Sequence, residues 1–202
     1  LSPAHYINAM ENPRENDSPA LQFGRIVHQR ILEPFKGLPY VIRPEGMKFT
    51  TREGKEWKEQ QTLPILDMDQ AEAVAAMAKA VSEHKVGRLI TEGSSQTEVS
   101  FFKKCASTGL LLKCRVDCAL MDLGSDRVHR ILDIKTTDDA SASGFTRACN
   151  NFSYARQAAF YGMVTGCFDF TFIAVEKSAP HAVQAFKISQ SSIMAATLSL
   201  IH

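Results

Sequence analysis

The chain has 202 residues and a mass of 22.4 kDa, which suits one well-buried domain and is short for two. Its hydrophobic fraction of 45% and charged fraction of 22% are those of an ordinary soluble globular protein, so we expect a single domain over residues 1–202. The formal net charge of +1 does not itself indicate a nucleic-acid partner, although a channel can concentrate positive charge locally.

The number of cysteines and the N-terminal sequence indicate the cellular compartment of the protein. An odd number of cysteines without a secretion signal indicates a reducing environment rather than a disulfide framework. No apolar run approaches the ~20 residues that a membrane span needs, so we expect no membrane association and a cytoplasmic location. The chain begins at Leu1 without a methionine and could be a fragment of a longer protein.

The first part of the chain alternates loops with two predicted helices. Residues 12–19 are polar and turn-rich, which predicts a loop. The apolar spacing after Ala20 predicts a helix that ends near Pro34. Residues 36–66 contain many glycines, prolines and charges, which predicts an irregular segment. Strong helix formers over residues 71–85 predict a second helix, capped by Asp67 or Asp69.

The rest of the chain predicts a sheet with further helices. Alternating patterns predict a three-stranded meander, then a long helix that Gly166 ends, then two more strands and a final helix from Ser189. The ranges are 97–105, 110–121 and 127–136 for the meander, 141–165 for the helix, and 168–176 and 182–188 for the last strands. This order predicts an α/β fold with a central mixed sheet flanked by helices.

Two neighbouring strands of the meander carry a candidate metal site. Asp117 lies within the second strand, and Asp133, Ile134 and Lys135 end the third. Residues two apart in a strand face the same way, so Asp133 and Lys135 share one side and Ile134 offers only its carbonyl. Adjacent strands lie ~4.8 Å apart, so a suitable register brings Asp117 near Asp133. Two carboxylates and a carbonyl form a hard oxygen site for Mg²⁺ or Mn²⁺.

Lys135 beside such a metal could orient or deprotonate the attacking water, or stabilise charge on the phosphate. An Asp and a Lys two apart at a strand end are more often a solvated pair, so these residues alone leave both interpretations open. Asp is disfavoured inside strands, and Asp117 therefore favours the metal site.

Four short motifs resemble those of the PD-(D/E)XK nuclease superfamily and occur in its order. Residues 115–117 (RVD) and 132–136 (LDIKT) resemble its two signature blocks, although the first lacks the usual proline. Residues 24–28 (GRIVH) match the G-x-x-x-H motif of its exonuclease branch, and residues 157–161 (QAAFY) match the Q-x-x-x-Y motif. Any single block is weak, but the ordered set implies a restriction-endonuclease-like fold and nuclease activity.

The phrases SPAHYINAMENPR, FGRIVHQRILEPF and DIKTTDDAS, with the later Y-x-x-Q-x-A-F-Y, resemble the nuclease domain of RecE-type exodeoxyribonuclease VIII. This resemblance implies a bacterial or phage-encoded exonuclease that digests the 5′ strand of linear duplex DNA. Such an enzyme would leave 3′ overhangs for phage-type homologous recombination. The resemblance further implies a homo-oligomeric ring, either a trimer or a tetramer, and a single-strand-annealing recombinase as partner.

The resemblance also implies roles for residues outside the Asp117, Asp133 and Lys135 set. His28 becomes a further metal ligand or a phosphate contact, and Glu98 a ligand of a second metal. Gln157 and Tyr161 share a helix face and would position the site or grip the scissile strand. Charge and position add four candidate DNA contacts, which are Arg25, Thr136, Arg147 and Arg156.

Two other functions compete with the exonuclease. An endonuclease or resolvase on the same fold would nick circular DNA, and the G-x-x-x-H and Q-x-x-x-Y motifs argue against it. A non-catalytic module would bind DNA ends or a recombinase, and the intact acidic and lysine residues argue against that. Only Cys167 follows the Q-x-x-x-Y motif, so we expect no iron–sulfur cluster and interpret the cysteines as core residues.

Overall fold

A computed structural model describes residues 3–12, 18–92 and 94–201 of the chain. Its helices are α1 (Pro3–Glu11), α2 (Pro19–Leu32), α3 (Arg52–Glu59), α4 (Met68–Glu83), α5 (Ala142–Asn151), α6 (Tyr154–Thr165) and α7 (Gln190–Ile201). Its strands are β1 (Val41–Ile42), β2 (Ile65–Leu66), β3 (Ser95–Lys104), β4 (Leu111–Met121), β5 (Val128–Thr137), β6 (Phe170–Glu176) and β7 (Val183–Lys187). A short 3₁₀ helix covers Gly87–Ile90.

Five of the described strands form one mixed sheet in the order β3-β4-β5-β6-β7. β3, β4 and β5 form the predicted antiparallel meander, β6 runs parallel to β5, and β7 returns antiparallel to β6. A parallel neighbour requires a crossover connection, which α5 and α6 provide between β5 and β6. The predicted α/β fold with a central mixed sheet flanked by helices is confirmed.

Helices pack on both faces of the sheet, and the candidate site draws on both. α2 and α4 pack on one face, against residues that include Ile134 and Ile173. α5, α6 and α7 pack on the other, against Ile131 and Phe172. Because side chains alternate along a strand, Asp133 points to the same face as Ile131, toward α6. Among the described helices, none is long and apolar enough to cross a membrane.

The structure corrects the predicted irregular segment over residues 36–66. This segment contains β1, β2 and the helix α3. The hydroxyl of Thr51 caps α3, and Arg52 and Glu56 form an (i, i+4) ion pair along it, both of which are local helix-stabilising features. Of the loop predicted over residues 12–19, residues 13–17 lie outside the described ranges.

The helix predicted over residues 141–165 is two helices. Ser141 caps α5, and Gly166 ends α6 as expected, but Ser153 adopts a left-handed backbone with φ of 56° between the two helices. Asn151 and Ser153 have short polar side chains that compete for backbone hydrogen bonds and favour helix ends over interiors. The break therefore has a local cause, and it sets the positions of the side chains beside it.

Candidate active site

Asp117 and Asp133 lie on neighbouring strands where the pairing of those strands ends. The described β4–β5 ladder stops at Cys118 opposite Leu132, so Asp117 and Asp133 lie one step beyond the last rung. The backbone N–H of Ile134 donates to Asp117 Oδ2 over 2.8 Å, which joins the two strands at this point. The register therefore brings the two carboxylates together.

A hydrogen-bonded chain from α6 positions the carboxylate of Asp133. Asp133 is only 1% exposed, and Gln157 Nε2 donates to its Oδ2 over 2.7 Å. The Gln157 side chain also interacts with the hydroxyl of Tyr161, one helical turn further along. Lys135 Nζ forms an ion pair with the other oxygen, Oδ1. Gln157 and Tyr161 thus lie where they can position the carboxylate, which is one of the two roles predicted for them.

His28 approaches the carboxylates from α2, on the other face of the sheet. Its Nδ1 lies 3.4 Å from Asp117 Oδ2. Burial lowers the pKa of the His28 imidazole, and the carboxylate of Asp133 opposes this without reversing it. The ring is therefore neutral at neutral pH, and a neutral imidazole can ligate a metal or donate one hydrogen bond.

The two carboxylates place more negative charge here than the described groups offset. Burial raises the pKa of Asp117 well above its ordinary value, and the nearby Asp133 raises it further. Lys135 and the Ile134 N–H lower it only in part. Asp133 Oδ1 is buried and faces the Lys135 ammonium, so one positive charge is shared between two carboxylates. Such a site favours a bound cation.

The oxygen donors fit a hard divalent cation. The described residues include no group of three or more His, Cys, Asp or Glu side chains arranged as a metal site. Mg²⁺, however, commonly takes one or two carboxylates and keeps several waters. Asp117, Asp133 and the Ile134 carbonyl meet that requirement, and the buried oxygen of Asp133 is the specific observation in favour.

Glu98 lies opposite Asp117, but its carboxylate is engaged by another residue. The β3–β4 rungs on either side place the two residues across from each other. Glu98 has a left-handed backbone with φ of 56°, which is uncommon for a residue other than glycine. Its side chain forms an ion pair with Arg115. Its predicted role as a metal ligand stays a prediction.

Two aromatic rings that were not predicted for the site surround the Lys135 amine. Nζ lies 4.9 Å from the ring centroid of Tyr154 and 5.6 Å from that of Phe172. Burial alone would lower the pKa of Lys135, but Asp133 outweighs it and the net direction is upward. Tyr154 precedes Gln157 by three residues on α6 and so shares its helix face, but the spacing alone does not tell that this face meets Lys135.

The site opens into a cleft of about 790 Å³ between α2 and the sheet. The described residues that line it are Ala20, Leu21, Gly24, Arg25, His28, Gln29, Glu33, Glu98, Arg115, Lys135, Thr136 and Tyr154. Two of the predicted DNA contacts, Arg25 and Thr136, are thus at the cleft. Arg147 and Arg156 are exposed on α5 and α6 and are not among these lining residues.

The absence of a side chain at Gly24 leaves space in this cleft, although the packing of the protein does not require a glycine at this position. A Cβ built at Gly24 would meet Thr136 Oγ1 at 3.6 Å, which is ordinary van der Waals contact. The glycine of the G-x-x-x-H motif therefore leaves room at the surface of α2 one turn before His28. That room lies where a substrate would enter.

Comparisons with known proteins agree with the fold. A family described as "PDDEXK-like domain of unknown function (DUF3799)" matches residues 1–201. The crystal structure of a "Putative exonuclease" from Eubacterium rectale is similar, with a TM-score of 0.60, 14% identity, and coverage of 98% of this chain and 69% of that one. At this identity the likeness shows the fold alone.

The structure of SSO0001 is more distant. Its TM-score is 0.37 at 12% identity, with 88% of this chain and 84% of that one covered, and it carries no argument. The search of curated proteins gave no match. The narrower resemblance to RecE-type enzymes stays a prediction. The family match over nearly the whole chain, with the same fold and the four ordered motifs, shows that the chain belongs to the PDDEXK-like domain family (DUF3799), within the PD-(D/E)XK nuclease superfamily.

Proposed function

We propose that this chain is a Mg²⁺- or Mn²⁺-dependent exodeoxyribonuclease that hydrolyses phosphodiester bonds at the ends of linear double-stranded DNA. The observation that carries the proposal is the clustering of Asp117 and Asp133 around Lys135 and His28, which line the cleft. A buried carboxylate beside a half-buried one, with a single lysine between them, is costly to keep unless a cation and a substrate use it. The superfamily to which the chain belongs gives this arrangement a hydrolytic interpretation.

Each residue has a role that follows from its position. Asp117, Asp133 and the Ile134 carbonyl would hold the metal, which when bound supplies Lewis acidity and a more acidic water. Lys135 would donate to the attacking water or to a phosphate oxygen, because an ammonium has three donors and Asp133 takes one. Gln157 holds the Asp133 carboxylate, and His28 would add a ligand or a phosphate contact.

The end specificity and biological setting rest on the motifs. The G-x-x-x-H and Q-x-x-x-Y motifs that resemble the exonuclease branch support digestion from DNA ends. The RecE-type resemblance supports 5′ to 3′ polarity, 3′ overhangs and a role in phage-type recombination with an annealing partner. A ring of three or four chains would keep the enzyme on the duplex between cleavage steps.

A digestion assay tests this proposal. Linear duplex labelled at either the 5′ or the 3′ end, and covalently closed circles, would be incubated with Mg²⁺ or with EDTA. We expect Mg²⁺-dependent loss of linear duplex, early release of the 5′ label and intact circles. Nicking of the circles at a comparable rate would instead favour the endonuclease, and binding without hydrolysis would favour the non-catalytic module.

A further inference from the structure

Phe152 presents an exposed aromatic ring at the corner between α5 and α6. Its side chain is 69% exposed, although burial of an aromatic ring is strongly favourable. One side of the ring rests on Tyr154, with ring centroids 5.7 Å apart and planes inclined by 23°. This is a stacked pair in which the outer ring remains open to solvent.

The stacked pair connects directly to the catalytic lysine. Tyr154 lines the cleft, and its ring centroid lies 4.9 Å from Lys135 Nζ. Phe152 is therefore one ring removed from the amine that would face the scissile phosphate. A nucleobase attached to a nearby phosphate could reach the exposed surface of Phe152, since neighbouring bases and phosphates along a strand are only a few ångströms apart.

The backbone at this corner is held in an uncommon conformation. Ser153 has φ of 56°, a left-handed conformation that is uncommon for a residue other than glycine. Arg156 Nη2 donates to Ser153 Oγ over 2.9 Å, so the corner also positions a guanidinium. A guanidinium has five N–H donors and suits phosphate recognition. An open aromatic ring and an arginine four residues apart thus provide a base contact and a phosphate contact together.

We propose that Phe152 is a stacking platform for one nucleobase of the DNA strand that enters the cleft, with Arg156 contacting a phosphate of the same strand. The inference rests on the proposed nuclease function and adds to it a specific contact for an unpaired or fraying base at the duplex end. Tyr154 then serves as a positioning residue, because it supports the platform and covers Lys135.

The test is a double-mutant cycle between the protein and the DNA. Duplexes with a short single-stranded end would carry an abasic nucleotide at one of the first six positions of either strand. Their affinities would be measured in EDTA, so that no hydrolysis occurs, for the wild type, Phe152→Ala, Phe152→Trp and Phe102→Ala. Phe102 is a matched control because it is 59% exposed and lies on the edge strand β3, where Lys113 Nζ lies 5.5 Å from its ring centroid, whereas Phe152 stacks on the cleft residue Tyr154.

We expect Phe152→Ala to weaken binding of the intact end by about 5- to 100-fold, the usual range for one base–aromatic stack. When the abasic nucleotide is at one or two particular positions, the wild type and Phe152→Ala should bind the probe equally well, because the base that stacks on Phe152 is already missing. Phe152→Trp should bind as well as the wild type, which shows that the site tolerates substitution, and Phe102→Ala should bind normally. An unchanged affinity of Phe152→Ala, or an equal loss with every abasic probe, would overturn the platform.

Hydrolysis by the wild type with Mg²⁺ is measured in parallel and separates the two proposals. Hydrolysis without any coupling between Phe152 and an abasic position would contradict the stacking platform and leave the proposed nuclease function supported. Coupling between Phe152 and an abasic position without hydrolysis would support the DNA contact and contradict the proposed nuclease function.

Discussion

Asp117→Asn should make the metal-free protein more stable. The change removes the charge of the half-buried Asp117 beside the buried Asp133, and keeps an oxygen that can accept the hydrogen bond from the Ile134 N–H. The pKa of Asp117 is raised in the folded protein, so the ionised form destabilises the fold at every pH above the unfolded value of about 4. The stabilisation by Asn should therefore be present at pH 7.5 and fade as pH falls toward 4.

The magnitude follows from the separation of adjacent strands. Two unit charges about 5 Å apart repel by about 3 kcal/mol at an effective dielectric of 20, and Lys135 offsets part of this. A net gain of about 1–2 kcal/mol corresponds to a rise in Tm of about 2–8 °C for a chain of this size. Thermal unfolding in EDTA measures it, and added Mg²⁺ should raise the Tm of the wild type but not of the variant.

Asp169→Asn is the matched control. Lys187 and Arg130 lower the pKa of Asp169 despite the opposing effect of its partial burial, so its charge stabilises the fold at neutral pH and the variant should lose stability there. A lower Tm for Asp117→Asn in EDTA at pH 7.5, or an Mg²⁺ response equal to that of the wild type, would refute the charge-excess argument.

Two further substitutions test parts of the site, and a labelling experiment tests the surroundings of two cysteines. Gln157→Leu removes the hydrogen bond that positions the buried carboxylate, and should lower kcat about 10- to 100-fold in the digestion assay while thermal unfolding shows an intact fold. Gly24→Ala should fold normally, because its Cβ meets Thr136 Oγ1 at 3.6 Å, but should raise KM by narrowing the cleft; an unchanged KM would contradict the proposed entry path. Hydrogen bonds from nearby hydroxyls lower the pKa of Cys105 to about 6, whereas burial raises that of Cys118 to about 12, so iodoacetamide at pH 7 should label Cys105 well before Cys118 by mass spectrometry.

The parts of the fold with local signals could be predicted from the sequence. Alternating side chains located the five strands of the main sheet to within a few residues, because one or both faces of each strand are buried. Asp67 caps α4 with the capping box that its spacing from Gln70 allows. The motif spacing predicted Asp117, Asp133 and Lys135 as one site, and the structure places them together, while their catalytic role stays a prediction.

The remaining features either depend on contacts between distant segments or have only weak local signals. Lys135 meets Tyr154 only because α6 packs on the sheet, and periodicity does not report which face of a helix meets which strand. The left-handed backbone of Glu98 has no signature in a residue that is not glycine. The break at Ser153 had a weak polar signal that the surrounding helix formers obscured, and the exposed position of Phe152 at this corner was not predicted.

Hydrolysis of linear duplex by Lys135→Ala tests the central claim most directly. The wild type, Lys135→Ala and the control Lys187→Ala would be compared with Mg²⁺ under single-turnover conditions, since Lys187 is an exposed, ion-paired lysine outside the lining of the cleft. We predict a loss of about 100-fold or more for Lys135→Ala, the usual cost of removing a group that stabilises developing charge, and near wild-type rates for Lys187→Ala. Undiminished digestion by a folded Lys135→Ala protein would contradict the assignment of the active site.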